Sequence, residues 1–221
     1  MVFATTHSDR SNGAWTALAA MVENDGSRRE GYCASLLRPD APARDLADAV
    51  HCLCLLHGRQ PGVIDSAAAR PVTDDTNALL EKAAAAYAEE RATLIRLVAA
   101  VGPLPSTPGQ AETEAAIAAQ RHALDMLATS DRKGCPMGAS LALMLDWAAI
   151  RAVLDATAAR VGIEITPSVL PTHAETATLV DAISGSAPFD RALLFGAQQL
   201  LAQHHALWQL LEARAEARNA G

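Results

Sequence analysis

The stretch CPMGASLALMLDWAAIRAVLDATAARV, Cys135 to Val161, decides the fold. Pro136 suits the first position of a helix, where its missing N–H has no partner to lose, and Gly162 follows as a stop. At about 100° per residue, Leu143, Trp147, Ile150, Val153 and Leu154 fall on one face. Thr157 prolongs that line, and its hydroxyl is placed to donate to the carbonyl of Val153. Asp146 lies inside the stripe, between Ala142, Ile150 and Val153.

On either side, Gly and Pro cut the chain into further helix-length pieces. Ser11–Asn12 can cap a first helix through about Glu23, closed by Asn24–Asp25–Gly26. A short helix or turn covers Arg29 to Leu37, and Pro42 opens a helix through His57, closed by Gly58. Pro61 can start a short helix to Ala69. Asp74 or Asp75 begins a long one ending at Val101, before the proline-rich loop 102–109, the candidate hinge. Helices are expected over Gln110 to Thr129, over Thr172 to Ile183 with Thr172 and Glu175 as a capping box, and from Pro188 to near Arg218. Only Ile163 to Thr166 alternates like a strand. The reading is all-α: a bundle of four to five long helices with shorter flanking helices, ferritin-like or related in architecture alone. It is expected to form a single domain over 1–221, with residues 1–41 as a helical appendage packed on a 42–218 bundle.

Half of the 221 residues are hydrophobic, yet aromatics are only 4%, so alanine-rich, closely packed helices fill the core. A net charge of -7 speaks against nucleic acid, and the only cationic pairs are Arg28–Arg29 and Arg132–Lys133. The four cysteines are too few and unevenly spaced for a disulfide framework. Met1 to Trp15 lacks the pattern of a signal peptide, and the longest apolar runs are broken by Pro103 and Pro105 or by Gly134–Pro136, short of a ~20-residue membrane span. These features predict a soluble, cytoplasmic protein with reduced thiols and no membrane partner.

Four helices each carry one titratable residue within an apolar stripe: His57, Glu90, Asp146 and His204. His57 aligns with Leu46, Val50 and Leu53, and His204 sits among Leu193, Leu200, Leu207 and Leu211. Glu90 and Arg91 fall in the arc of Leu80, Ala83, Tyr87 and Leu94, whereas Glu89 and His205 point away. Two imidazoles and two carboxylates suit iron, manganese or zinc in a bundle core. Against this, the Glu-x-x-His spacing of di-iron bundles is absent. Glu90 and Asp146 also lie at different depths, roughly 24 and 15 Å from their helix starts. The alternative is a set of buried hydrogen-bonded pairs, with Arg91 or a histidine facing each carboxylate.

Cys135 is the second candidate site. At the N-cap of its helix, after Arg132 and Lys133, its thiol would be activated by the cations and the helix dipole. His51, Cys52, Cys54 and His57 offer soft ligands, but fan too widely around one helix to converge. Arg151 and Asp155 read as a surface ion pair, and the Trp147 indole requires an acceptor. Phosphate-loop, serine-elbow and His-Glu-x-x-His motifs are absent.

The function expected is therefore that of a non-enzymatic interaction or small-ligand-binding bundle. A homodimer is expected through a second stripe, Ala115, Ala119, His122 and Met126. The rivals are a metal-dependent oxidoreductase at His57, Glu90, Asp146 and His204, and a thiol enzyme at Cys135.

Overall fold

The computed structural model describes the backbone of residues 6–70 and 74–220, and the side chains of 13–70 and 76–220. Within it the chain forms α1 (Thr6–Asp25), a short 3-10 turn at Ser27–Arg29, α2 (Gly31–Leu36), α3 (Ala43–His57), α4 (Val63–Ala68) and α5 (Asp74–Val101). There follow α6 (Gln110–Ala128), α7 (Gly134–Val161), α8 (His173–Ile183) and α9 (Ala187–Ala220). No strand occurs among the described residues, and Ile163 to Thr166 is irregular chain. The all-α reading holds.

Helix ends follow local chemistry. Gly162 closes α7 with φ +72°, a left-handed conformation that glycine adopts without steric cost. At the start of α8, the Thr172 hydroxyl accepts from the Glu175 amide at 3.2 Å, and Glu175 accepts from the Thr172 amide at 2.8 Å. Thr157 donates to the Val153 carbonyl at 2.8 Å. Several starts differ from expectation, among them α2 at Gly31 and α4 at Val63. Helix α1 begins at Thr6, so Ser11 and Asn12 fall inside it; their side chains, like those of Asp74 and Asp75, lie outside the described residues. Helix α7 begins at Gly134, which puts Cys135 within its first turn rather than at the cap.

Helices α7 and α9 make the most extensive contact in the fold. They run parallel: the first turn of α7 lies against Phe189 and Leu193, and Asp146, three turns on, lies against His204. Residues 162–186, including α8, return the chain to the starting end. Three glycines permit this approach. A Cβ on Gly138 would overlap the carbonyl of Leu193, one on Gly196 would overlap the carbonyl of Cys135, and one on Gly134 would come within 2.6 Å of the Phe189 carbonyl. The backbones touch because no side chain separates them.

Around this pair the apolar stripes close as the periodicity requires. Leu143, Trp147, Ile150, Val153 and Leu154 of α7 are buried with Leu193, Leu200, Leu207 and Leu211 of α9, Leu46, Val50 and Leu53 of α3, and Leu80, Tyr87 and Leu94 of α5. Residues before 42 enter the same core through Ala14, Leu18, Tyr32, Cys33 and Leu36. Contrary to the expected break at Gly134–Pro136, α7 is long and apolar enough to cross a membrane, but 83% of that window is buried inside the bundle. Ala115, Ala119, His122 and Met126 lie exposed on the outer face of α6.

At the far end, Arg214 and Arg218 of α9 meet Asp48 and Asp45 of α3. Arg214 grips Asp48 through Nε and Nη2, each at 2.8 Å, and Arg218 reaches Asp45 at 2.8 Å. Two cations and two anions offset one another in a buried cluster that also holds Thr107 and Thr113.

Gly138→Ala is expected to lower stability by about 2–3 kcal/mol or more, because backbone rather than a flexible side chain must yield. Gly13→Ala, with open space around its Cβ in mid-helix, should raise it by about 0.5–1 kcal/mol. Urea unfolding midpoints of the two variants check the contrast, and equal midpoints would contradict the close contact.

Candidate functional site

Three of the four inward titratable residues meet. His204 Nδ1 lies 2.6 Å from Asp146 Oδ2, and His204 Nε2 lies 3.0 Å from His57 Nε2. The first contact crosses the α7–α9 seam, and the second joins α9 to the last residue of α3. Behind Asp146, the turn after α1 wraps the carboxylate: the Ser27 amide donates to Oδ1 at 2.7 Å and its hydroxyl to Oδ2 at 2.5 Å. Gly26 makes room, since a Cβ there would stand 2.7 Å from Oδ1. The Trp208 indole donates to the Ser27 hydroxyl at 2.9 Å. The result is an unbroken polar chain, Trp208–Ser27–Asp146–His204–His57, threaded through apolar packing.

The electrostatics follow from burial and partners. Burial pushes Asp146 up, but the hydrogen bond and charge of His204 and the two hydrogen bonds from Ser27 outweigh it, holding the carboxyl below its ordinary value. His57 is driven well below the usual histidine range, first by burial and then by His204. The contact between two ring nitrogens holds one proton, donated by one and accepted by the other. Asp146 is thus held toward its carboxylate form and His57 toward its neutral form.

Glu90 stands apart from this chain. Its carboxylate accepts from Arg151 Nη1 at 2.9 and 3.0 Å and from the Trp147 indole at 2.9 Å. The Trp147 ring is the bridge between the two groups, edge-on to His57 with centroids 5.6 Å apart. Depth does not separate Glu90 from α7, because it meets that helix at Trp147 and Arg151, just beyond Asp146. The expected partner Arg91 instead makes a paired contact with Asp65, at 2.9 and 3.0 Å. Arg151 does reach Asp155 at 2.8 Å, yet it is a buried residue whose guanidinium also holds Glu90 and the carbonyl of Thr166. It is thus a core ion pair as well as a surface one.

Such a geometry commits the polar atoms of the four residues to protein partners: His57, His204 and Asp146 to one another and Ser27, and Glu90 to Arg151 and Trp147. Both nitrogens of His204 are engaged, and both oxygens of Glu90 face Arg151. Among the described residues, no group of three or more His, Cys, Asp or Glu side chains is disposed to hold a metal ion. His57, Asp146 and His204 are each at most 6% exposed. None of them lines the main surface recesses, whereas Trp147, Glu90 and Arg151 do.

Cys135 is buried against α9, its carbonyl beneath Gly196. Cys33 and Cys52 are buried too, and burial raises both thiols to about 12, leaving Cys54 as the one partly exposed cysteine. Sequence reasoning missed Ser27, Trp208 and Arg151. Ser27 follows Gly26 in a turn with no periodic signal, and Arg151 showed only its pairing with Asp155, while the acceptor that Trp147 required is Glu90.

A family model described as a family of unknown function (DUF6975) matches residues 22–219. No curated protein and no solved structure matches the chain.

Two outcomes follow from this site. The unfolded chain accepts a proton on His57 near 6.5, which the folded core refuses, so the contribution of His57 is complete above that pH and is lost as pH falls below it, by at most about 1.4 kcal/mol per pH unit. Asp146, depressed below 3.8, adds a further loss at lower pH. Urea midpoints followed from pH 7 to 5 should fall, and His57→Gln should flatten the slope; an unchanged slope would count against a neutral buried His57. Iodoacetamide on the native protein should modify Cys54 first and Cys135 only on unfolding. Rapid labelling of Cys135 near neutral pH would restore it as a reactive thiol.

Proposed function

The chain belongs to that family of unknown function, and we propose that this member is a non-enzymatic helical bundle that binds a small ligand at its surface. The observation that carries this reading is the sealing of the polar chain. A general acid, base or nucleophile must come within hydrogen-bond reach of a substrate. Asp146, His204 and His57 are instead packed under apolar side chains and line none of the main recesses. Each joins elements distant in sequence, so the chain's role is to fix α3, α7, α9 and the turn after α1 in one register. Recognition then falls to the surface, where recesses of about 320 to 510 Å³ lie within the size range of small-molecule sites.

One observation favours a metal-dependent oxidoreductase instead: the two Nε2 atoms face each other, and Asp146 stands behind His204 as carboxylates stand behind metal-bound imidazoles. Iron, manganese or zinc there would need Glu90 to leave Arg151 and Trp147. Elemental analysis of native protein and of His204→Ala separates the readings. The ligand-binding reading expects no stoichiometric metal in either, with the variant destabilised by about 3–5 kcal/mol through its orphaned carboxylate. Stoichiometric iron, manganese or zinc in the native protein, lost in the variant, would overturn it.

A further inference from the structure

At the end of the molecule where α7 and α9 both begin, a recess of about 510 Å³ is lined by Arg132, Lys133, Arg191, Phe189 and Phe195, among others. Its cations differ from many of the chain's others. Arg29, Arg38, Arg91, Arg151, Arg214 and Arg218 are each paired with a carboxylate. Arg132, Lys133 and Arg191 are exposed, and none is in an ion pair among the described residues. In a chain of net charge -7, three cations outside any ion pair among the described residues thus gather on one recess. Asp131 and Asp190 stand beside them in sequence and offset part of this charge, which leaves the rim positive by about one unit. The parallel course of α7 and α9 adds the positive ends of two helix dipoles on the same side.

The apolar lining is as unusual as the charge. Trp147, Trp208 and Tyr87 are at most 1% exposed and Tyr32 is buried, while Trp15 packs half-buried against the core. Both phenylalanines with described side chains lie on the first turns of α9 and line this recess, and Phe195 is 47% exposed. Burying such a ring contributes roughly 1.5–3 kcal/mol, a gain forgone here unless something covers it. Phenyl walls beside free cations match a ligand with an apolar body and one negative group. A rim positive by about one unit suits a monoanion better than a polyphosphate.

We infer that this recess binds a small organic monoanion with an apolar body, of the class of medium-chain or aryl carboxylates. The guanidinium and ammonium groups of Arg132, Lys133 and Arg191 hold the carboxylate, and Phe189 and Phe195 cover the body. This deepens the ligand-binding reading above and rests on it.

The test is isothermal titration calorimetry with octanoate and, as the uncharged analogue, 1-octanol, on the full chain. The expected result is one octanoate per chain, with 1-octanol at least about tenfold weaker. Lys133→Ala with Arg191→Ala, and separately Phe195→Ala, should each weaken octanoate about tenfold or more. All three positions are exposed, so unchanged melting temperatures will certify folding, and Arg38→Ala, paired elsewhere, should bind as the native protein does. Absence of octanoate binding, equal affinity for the alcohol, or indifference to both sets of variants would each overturn the site. Uptake onto anionic phosphatidylglycerol vesicles without binding of soluble octanoate would also overturn it, assigning the patch to a membrane surface. Failure of octanoate with metal-free native protein leaves the ligand-binding reading standing with its ligand elsewhere, whereas stoichiometric metal lost with His204→Ala removes the reading itself.

Discussion

The contact between α7 and α9 at Gly134, Gly138 and Gly196 governs the rest of the molecule. Where these glycines stand, backbone meets backbone, and no other residue type leaves room for the carbonyls of Leu193 and Cys135. This separation sets the two helices parallel and in a register that brings Asp146 opposite His204, three turns further along. The same register carries Arg214 and Arg218 to the carboxylates of α3 and puts the two helix starts side by side. A wider spacing would open the seam and part the Asp146 carboxylate from the His204 imidazole, leaving each buried without the other. Each such orphan costs several kcal/mol, so the polar groups act as a penalty on any other packing.

The core thus combines two kinds of order. Apolar stripes supply most of the free energy of burial but are indifferent to exact register, because one leucine packs against another at many offsets. Hydrogen-bonded chains are directional and tolerate little displacement. Asp146–His204–His57, Glu90–Arg151 with the Trp147 indole, and Arg214 and Arg218 with Asp48 and Asp45 each join helices far apart in sequence. With aromatics scarce and alanine abundant, large interlocking rings are few, and these polar joints select one arrangement among many that alanine-rich faces would allow.

Much of this was legible residue by residue. The helical period placed His57, Glu90, Asp146 and His204 inward, and all four are buried. It turned Glu89 and His205 outward, and both are exposed. The partners were less legible. Arg91 is next to Glu90 in sequence and equally buried, yet it serves Asp65, which caps the start of α4. Arg151 looked satisfied by Asp155 one turn away, while its decisive contact is with another helix. Ser27 and Trp208 complete the shell of Asp146 from a turn and from a helix face whose periodicity says nothing of hydrogen bonding.

What the sequence determined by itself is the set of local outcomes: where helices start and stop, as at Thr172 and Gly162, which face of each is apolar, and which charges are carried inward. These depend on steric and hydrogen-bonding preferences within a few residues of chain. The tertiary structure alone decided which inward charge meets which, that α7 and α9 run parallel in contact, and that three cations and two phenylalanines share one recess. Pairings of this kind depend on the relative offset and rotation of whole helices. Those are set by glycine contacts across nearly 60 residues of chain, and no local pattern encodes them.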